Sequence, residues 1–146
     1  MIHTTTDNPA NAATAGAMGA LHPSRAQRND IAFGWPLLEQ FVELGVGQAM
    51  AVRERDVICV EATEATEAMI QRTGTLCRAR GWTLLKTGKA DGRTSRLPTI
   101  SVDTIQQLAA AGAGCAAIGT GRVILIDKPA LLLAAHRARI AVVGIG

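Results

Sequence analysis

Aromatic side chains are nearly missing from this chain, which has two Trp, two Phe and no Tyr in 146 residues. The core must therefore be aliphatic, and there is no set of aromatic rings on which the bases of a single-stranded nucleic acid could stack. A strong charge bias is missing too. Fifteen basic against 12 acidic residues leave a formal +3, a small surplus beside that of a dedicated polyanion binder. The lack of aromatics argues against nucleic acid as a partner, while the sign of the charge alone decides nothing. Cys59, Cys77 and Cys115 are odd in number and far apart, with no C-x-x-C pair and no His cluster nearby. That pattern argues against a disulfide framework and a zinc site, and for buried, reduced thiols of a cytosolic protein. No stretch approaches the roughly 18 apolar residues of a membrane helix, and the first 20 residues carry neither a basic nor an apolar leader segment. The expectation is a cytoplasmic protein without a transmembrane segment.

What is present suits one globular domain. The chain is 48% hydrophobic and 18% charged, and its length falls within the roughly 100 to 200 residues of a single core. Residues 1–29, rich in Thr, Ala, Asn and Gly without apolar periodicity, read as a disordered or weakly ordered tail. The domain is expected over residues 30–146. Asn29-Asp30 offers an N-cap to a helix over 31–44, whose apolar stripe runs Ile31, Trp35, Leu38, Val42 and which stops at Gly45. Two apolar runs, 49–52 and 57–60, flank a short charged turn and predict a hairpin. Thr63 opens a second helix over 64–80, with Glu64 and Glu67 in its first turn and Gly81 as its stop. A strand over 82–85, a turn-rich loop over 87–98 and a helix over 102–112 capped by Ser101 follow. Strands at 115–118 and 123–126 around Gly119-Thr120-Gly121 read as a second hairpin. Asp127 then caps a helix with Pro129 in its first turn, and 140–143 is the last strand. Apolar strands alternating with helices predict an α/β fold: a three-layer α/β/α domain with a mixed sheet.

The glycine pairs 112/114 and 119/121 do not form phosphate loops, because a phosphate loop needs a strand before it and a helix after it. They read as turns. His3 and His22 lie in the tail and His136 near a helix end, which leaves no histidine placed for a nucleophilic triad. Two segments carry possible chemistry. Glu61, Glu64, Thr66 and Glu67 surround a strand-to-helix junction; they could hold a hard cation such as Mg²⁺, or simply complement a helix dipole. Lys86, Lys89, Arg93 and Arg96 against Asp91 make a basic loop, suited to phosphate groups or to plain solvation.

At these same segments the sequence resembles the C-terminal domain of the UDP-2,3-diacylglucosamine pyrophosphatases of the LpxI type. The matching stretches are 30–34 (Asp-Ile-Ala-Phe-Gly), 46–49 (Val-Gly-Gln-Ala), 60–62 with 64–70, Lys86 with Lys89, 97–100 (Leu-Pro-Thr-Ile) with 103–105, and 142–144. The resemblance implies lipid A biosynthesis: water cleaves the pyrophosphate of a UDP-linked diacylated glucosamine with Mg²⁺ assisting, at or near the inner membrane. It implies Gln48, Thr66, Lys86, Lys89 and Thr99 as substrate-binding residues, and Glu61 and Glu67 as metal-facing acids.

Three departures from the family accompany the matches. Where the family reads Arg-Val-Asp before Leu-Pro-Thr-Ile, this chain reads Thr94-Ser95-Arg96, so a cation with no acceptor atoms replaces an essential acid. Asp91 and Asp103 are the nearest replacements. Where the family has Gly-Thr-Asp after Glu64, this chain has Ala65-Thr66-Glu67. The family's N-terminal domain has no counterpart in residues 1–29. The expected function is a stand-alone domain that binds a UDP-sugar-type ligand with lost or weakened hydrolysis. The alternatives are a subunit of a split pyrophosphatase completed by a separate N-terminal domain, and a non-catalytic assembly or regulatory domain. A second copy of the chain is a further candidate partner.

Overall fold

The computed structural model describes residues 13, 15–89 and 97–146. Along it run Gly16–Met18 (β1), Arg25–Glu43 (α1), Ala49–Arg53 (β2), Asp56–Val60 (β3), Thr66–Leu76 (α2) and Trp82–Lys86 (β4). Thr99–Ile100 (β5), Val102–Ala111 (α3), Ala113–Gly119 (β6), Ile124–Leu125 (β7), Lys128–Arg137 (α4) and Ala141–Ile145 (β8) complete the order. Strands β2, β4, β6 and β8 are buried along nearly their whole length, as a sheet covered on two faces requires.

The main sheet has the order β1-β8-β6-β4-β2-β3. Strands β4, β6 and β8 pair in parallel. β2 is antiparallel to both β3 and β4, and β1 is antiparallel to β8. Because β3 and β4 are both antiparallel to β2, they run the same way, so β3-α2-β4, β4-α3-β6 and β6-α4-β8 are three parallel crossovers stepping in one direction. Crossovers of one hand stepping in one direction put their helices on one face. Met69 and Ile70 of α2, Ile105 and Leu108 of α3 and Leu131 of α4 accordingly share one core with Ala51, Leu84, Ala116 and Val142. Helix α1 covers the opposite face, packing Ile31, Trp35, Leu38 and Val42 on Met50, Leu85, Ala117 and Val143. It lies so close that a Cβ at Gly34 would stand 2.6 Å from Leu85 Cδ1. The layering is the expected α/β/α with a mixed sheet.

Several boundaries differ from the sequence expectation. Helix α1 starts at Arg25, because Ser24 and Gln27 form a reciprocal capping box over 3.1 and 2.8 Å. Asp30, expected near the cap, is a buried residue inside the helix. Its carboxylate accepts the backbone N–H groups of Glu54 (3.2 Å) and Arg55 (2.8 Å) in the β2–β3 turn. The segment expected as a tail over 1–29 thus contains, in its described part, the start of α1 and strand β1, registered on β8; residues 1–12 and 14 are outside the described residues. Helix α2 ends at Leu76 rather than 80, since Cys77 takes an extended conformation. The second hairpin does not form. Both edges of β6 are already taken by β4 and β8, so β7 pairs instead with β5 in a separate two-stranded parallel sheet. Among the described residues no helix is long and apolar enough to cross a membrane.

Candidate functional site at the strand ends

Side-chain alternation along β4 turns Trp82 and Leu84 to the α2–α4 face and Leu85 to the α1 face. Lys86, the last residue of β4, shares the parity of Trp82 and Leu84. Glu61 follows the last residue of β3 and shares the parity of Cys59, on the same face. Since β3 and β4 run the same way, both side chains emerge at one end of the sheet, and the incoming end of β2 brings Gln48 between them. The chain then rises into α2, whose first turn supplies Thr66 and Glu67, while β5 supplies Thr99. Gln48, Glu61, Thr66, Glu67, Lys86 and Thr99 all line one cavity of about 200 Å³.

The polar groups are joined in series. One Glu61 carboxylate oxygen accepts the backbone N–H of Gln48 over 3.0 Å, and the other accepts the hydroxyl proton of Thr66. Lys86 Nζ donates to Thr66 Oγ1 over 3.0 Å and to the carbonyl oxygen of Thr99 over 2.9 Å. Only 5% of Lys86 is exposed and 6% of Glu61. Burial pushes the Lys86 ammonium below its ordinary range, and the carboxylates of Glu61 and Glu67 oppose that shift. A buried charge is tolerable when its hydrogen bonds are met and an opposite charge is near, and the Thr66 bridge provides both.

Backbone proximity holds this arrangement. Glu61 N–H donates to the Ala49 carbonyl over 2.9 Å, extending the β2–β3 ladder past Val60. Gly47 crosses so near that a Cβ there would sit 1.9 Å from the Glu61 carbonyl oxygen. Only glycine fits at that crossing.

The structure brings together six of the residues expected from sequence, with some changes of part. Gln48 contributes its backbone N–H to Glu61. Lys89 is half-buried and is not among the described residues lining the cavity. Arg96 lies outside the described residues, although Leu97, its neighbour in sequence, lines the cavity. Glu64 lines the wall too, but its carboxylate is paired with Arg72. Sequence reasoning missed Thr104 of α3, whose hydroxyl donates to Glu67 over 3.4 Å and ties α3 to the site. Thr104 also accepts the Ser101 N–H over 3.1 Å.

The residues fit the expected magnesium poorly. Among the described residues no three His, Cys, Asp or Glu side chains gather into a metal site. Both oxygens of Glu61 already accept protein donors, and the nearest charge across Thr66 is a buried ammonium, which repels a divalent ion. A larger hollow of about 610 Å³ lies on the other side of the sheet end, by Glu39, Val42, Leu44, Gly88 and Arg122. Among the described residues its ion pair, Arg122 with Glu39 at 3.4 Å, is partly exposed, and none of the described polar residues that line it is buried. The smaller cavity, with its buried charges, is the better candidate for chemistry.

The LpxI C-terminal domain family matches residues 14–143. The UDP-2,3-diacylglucosamine pyrophosphatase LpxI of Caulobacter vibrioides is 32% identical over 138 residues, a match that takes in 89% of this chain and 49% of that protein. The chain therefore spans about half the length of the curated relative it matches.

Proposed function

As this chain belongs to the LpxI C-terminal domain family, we propose that its strand-end cavity binds the phosphate groups of a UDP-linked acylated glucosamine or a related ligand. The observation that carries the reading is the buried Lys86 ammonium, fixed by Thr66 and Thr99 at the wall of a cavity. An oriented ammonium of this kind is a point-charge partner for phosphate oxygens. The cavity is smaller than the roughly 300 to 1,000 Å³ of sites that enclose a drug-sized molecule. It accommodates the phosphate end of such a ligand, with sugar, acyl chains and nucleoside outside.

Hydrolysis in this reading is lost or weakened, because Arg96 stands in sequence where the family carries its acid, and a guanidinium neither accepts a proton from water nor coordinates a cation. Lys89 and Thr99 remain proposed ligand contacts, and the site of action is proposed to be cytoplasmic, peripheral to the inner membrane. The test is twofold: thermal-shift titration with UDP-2,3-diacylglucosamine, and release of UMP from it. Ligand-dependent stabilisation with little UMP released supports the reading; no stabilisation refutes it.

A second proposed reading makes this domain one subunit of a split pyrophosphatase, completed by a separate polypeptide. UMP release that appears only when such a polypeptide is added would establish it. Ligand-independent binding of that polypeptide, unaffected by Glu61→Gln and Lys86→Ala, would instead mark a non-catalytic assembly domain.

A further inference from the structure

We propose that this site binds its phosphate ligand without a divalent metal, the Lys86 ammonium acting as the counter-charge and Glu61 as the residue that positions it through Thr66. The proposal rests on the phosphate-binding reading above and departs from the magnesium expectation.

Glu61 holds the position at which a metal-binding carboxylate was expected, yet each of its two oxygens already accepts a protein donor. The Gln48 N–H engages one oxygen and the Thr66 hydroxyl the other. For Glu61 to take a divalent ion in place of that hydroxyl, the Thr66 bond would have to break. Thr66 would then lose the acceptor that orients its hydroxyl, and Lys86 would face a second cation one residue away. The other acids are also engaged elsewhere. Glu64 pairs with Arg72, and Glu67 accepts the Thr104 hydroxyl from α3.

Donors, by contrast, stand at the cavity wall. Lys86 has three N–H donors; two go to Thr66 Oγ1 and the Thr99 carbonyl, which fixes the direction of the third. The N-cap of α2 is Ala65, with no side-chain hydrogen bond to the first turn, and Ala65, Thr66 and Glu67 line the same cavity. Backbone N–H groups of an uncapped first turn, which water otherwise satisfies, suit an anion. A buried ammonium and an uncapped helix end thus face one space from two elements, β4 and α2. Glu61 touches neither ligand nor metal in this account; it holds Thr66, and Thr66 holds Lys86.

The experiment is calorimetric titration of the full chain with UDP, in EDTA and in excess Mg²⁺, on the wild type and on Lys86→Met, Lys86→Arg and Glu61→Gln. The expected dissociation constants for the wild type agree within about threefold between the two media. Lys86→Met weakens binding about thirtyfold in both, the size of one lost hydrogen bond to a charged group. Lys86→Arg retains part of the affinity, and Glu61→Gln weakens binding without acquiring or losing any Mg²⁺ response. Wild-type binding that vanishes in EDTA and returns with Mg²⁺ overturns this proposal and leaves the phosphate-site reading standing. UDP binding in neither medium overturns both. The wild-type comparison needs no variant to fold.

Discussion

The Lys86 ammonium donates to the Thr66 hydroxyl oxygen over 3.0 Å while that hydroxyl gives its own proton to Glu61. A single small side chain at the start of α2 therefore links the end of β4 to the residue after β3, and with it the two charges that define the site. Removing the bridge should cost more than its size suggests. Thr66→Val keeps the volume but leaves Glu61 and Lys86 each short of a buried partner, a loss of about 1–3 kcal/mol. Thr66→Ser should keep most of the stability. Urea unfolding of both variants beside the wild type checks the difference.

Gly47→Ala should disturb the same site from the backbone side. The new Cβ would meet the Glu61 carbonyl oxygen at 1.9 Å, a contact that neither backbone can absorb without moving. The expected outcome is destabilisation of about 2 kcal/mol or more, in the range of overpacking. Ligand-induced thermal stabilisation should fall with it, because Gln48 and Glu61 must shift.

The β2–β3 turn makes a prediction remote from the site. Glu54 and Arg55 sit at φ 54° and 57° in a two-residue connection between Arg53 and Asp56, the geometry that favours Asn-Gly. Arg55→Gly should therefore stabilise the chain by about 0.5–1 kcal/mol. Asp30→Ala should destabilise it by about 2 kcal/mol, since it orphans two turn N–H groups. Denaturant midpoints for the two variants should move in opposite directions.

The pH dependence has a definite sign. The Lys86 ammonium is lowered by burial from its ordinary 10.5, so between that lowered value and 10.5 the unfolded chain holds more protons than the folded one. Stability linked to Lys86 therefore rises with pH across that window and is least below it. Cys115 works the other way: burial pushes its thiol from 9.0 up to about 12, so its contribution falls as pH climbs above 9. Subtracting the stability profile of Lys86→Met from that of the wild type cancels the Cys115 contribution. The difference should rise with pH up to 10.5, and a flat difference would mean that Lys86 is not buried as a charge.

The layered fold was readable in the sequence because the apolar strands are continuous and the helical stripes of Ile31, Trp35, Leu38 and Val42 face inward. The misread boundaries trace to tertiary contacts. Asp30 resembles an N-cap by type, but its carboxylate is claimed by a turn some two dozen residues away, and the real cap at Ser24 lay in a stretch without periodicity. The segment after β6 looked like a hairpin return because nothing local reveals that β8 already occupies that edge. Glu61, Thr66 and Lys86 were legible as polar residues of two separate segments, while Gln48 and Thr99 entered only through the family resemblance. Their roles were not, since the order Lys86 to Thr66 to Glu61 depends on parity and register across three elements. Thr104 was invisible as a site residue because its link to Glu67 crosses from one helix to another.

The central claim, that a phosphate ligand enters the cavity built on Lys86, is tested most directly by following the backbone amide resonances of the full chain during titration with UDP. The account predicts saturable shifts at Gln48, Glu61, Thr66, Lys86 and Thr99. No shifts, or shifts confined to Glu39, Val42 and Leu44 beside the larger hollow, would contradict it.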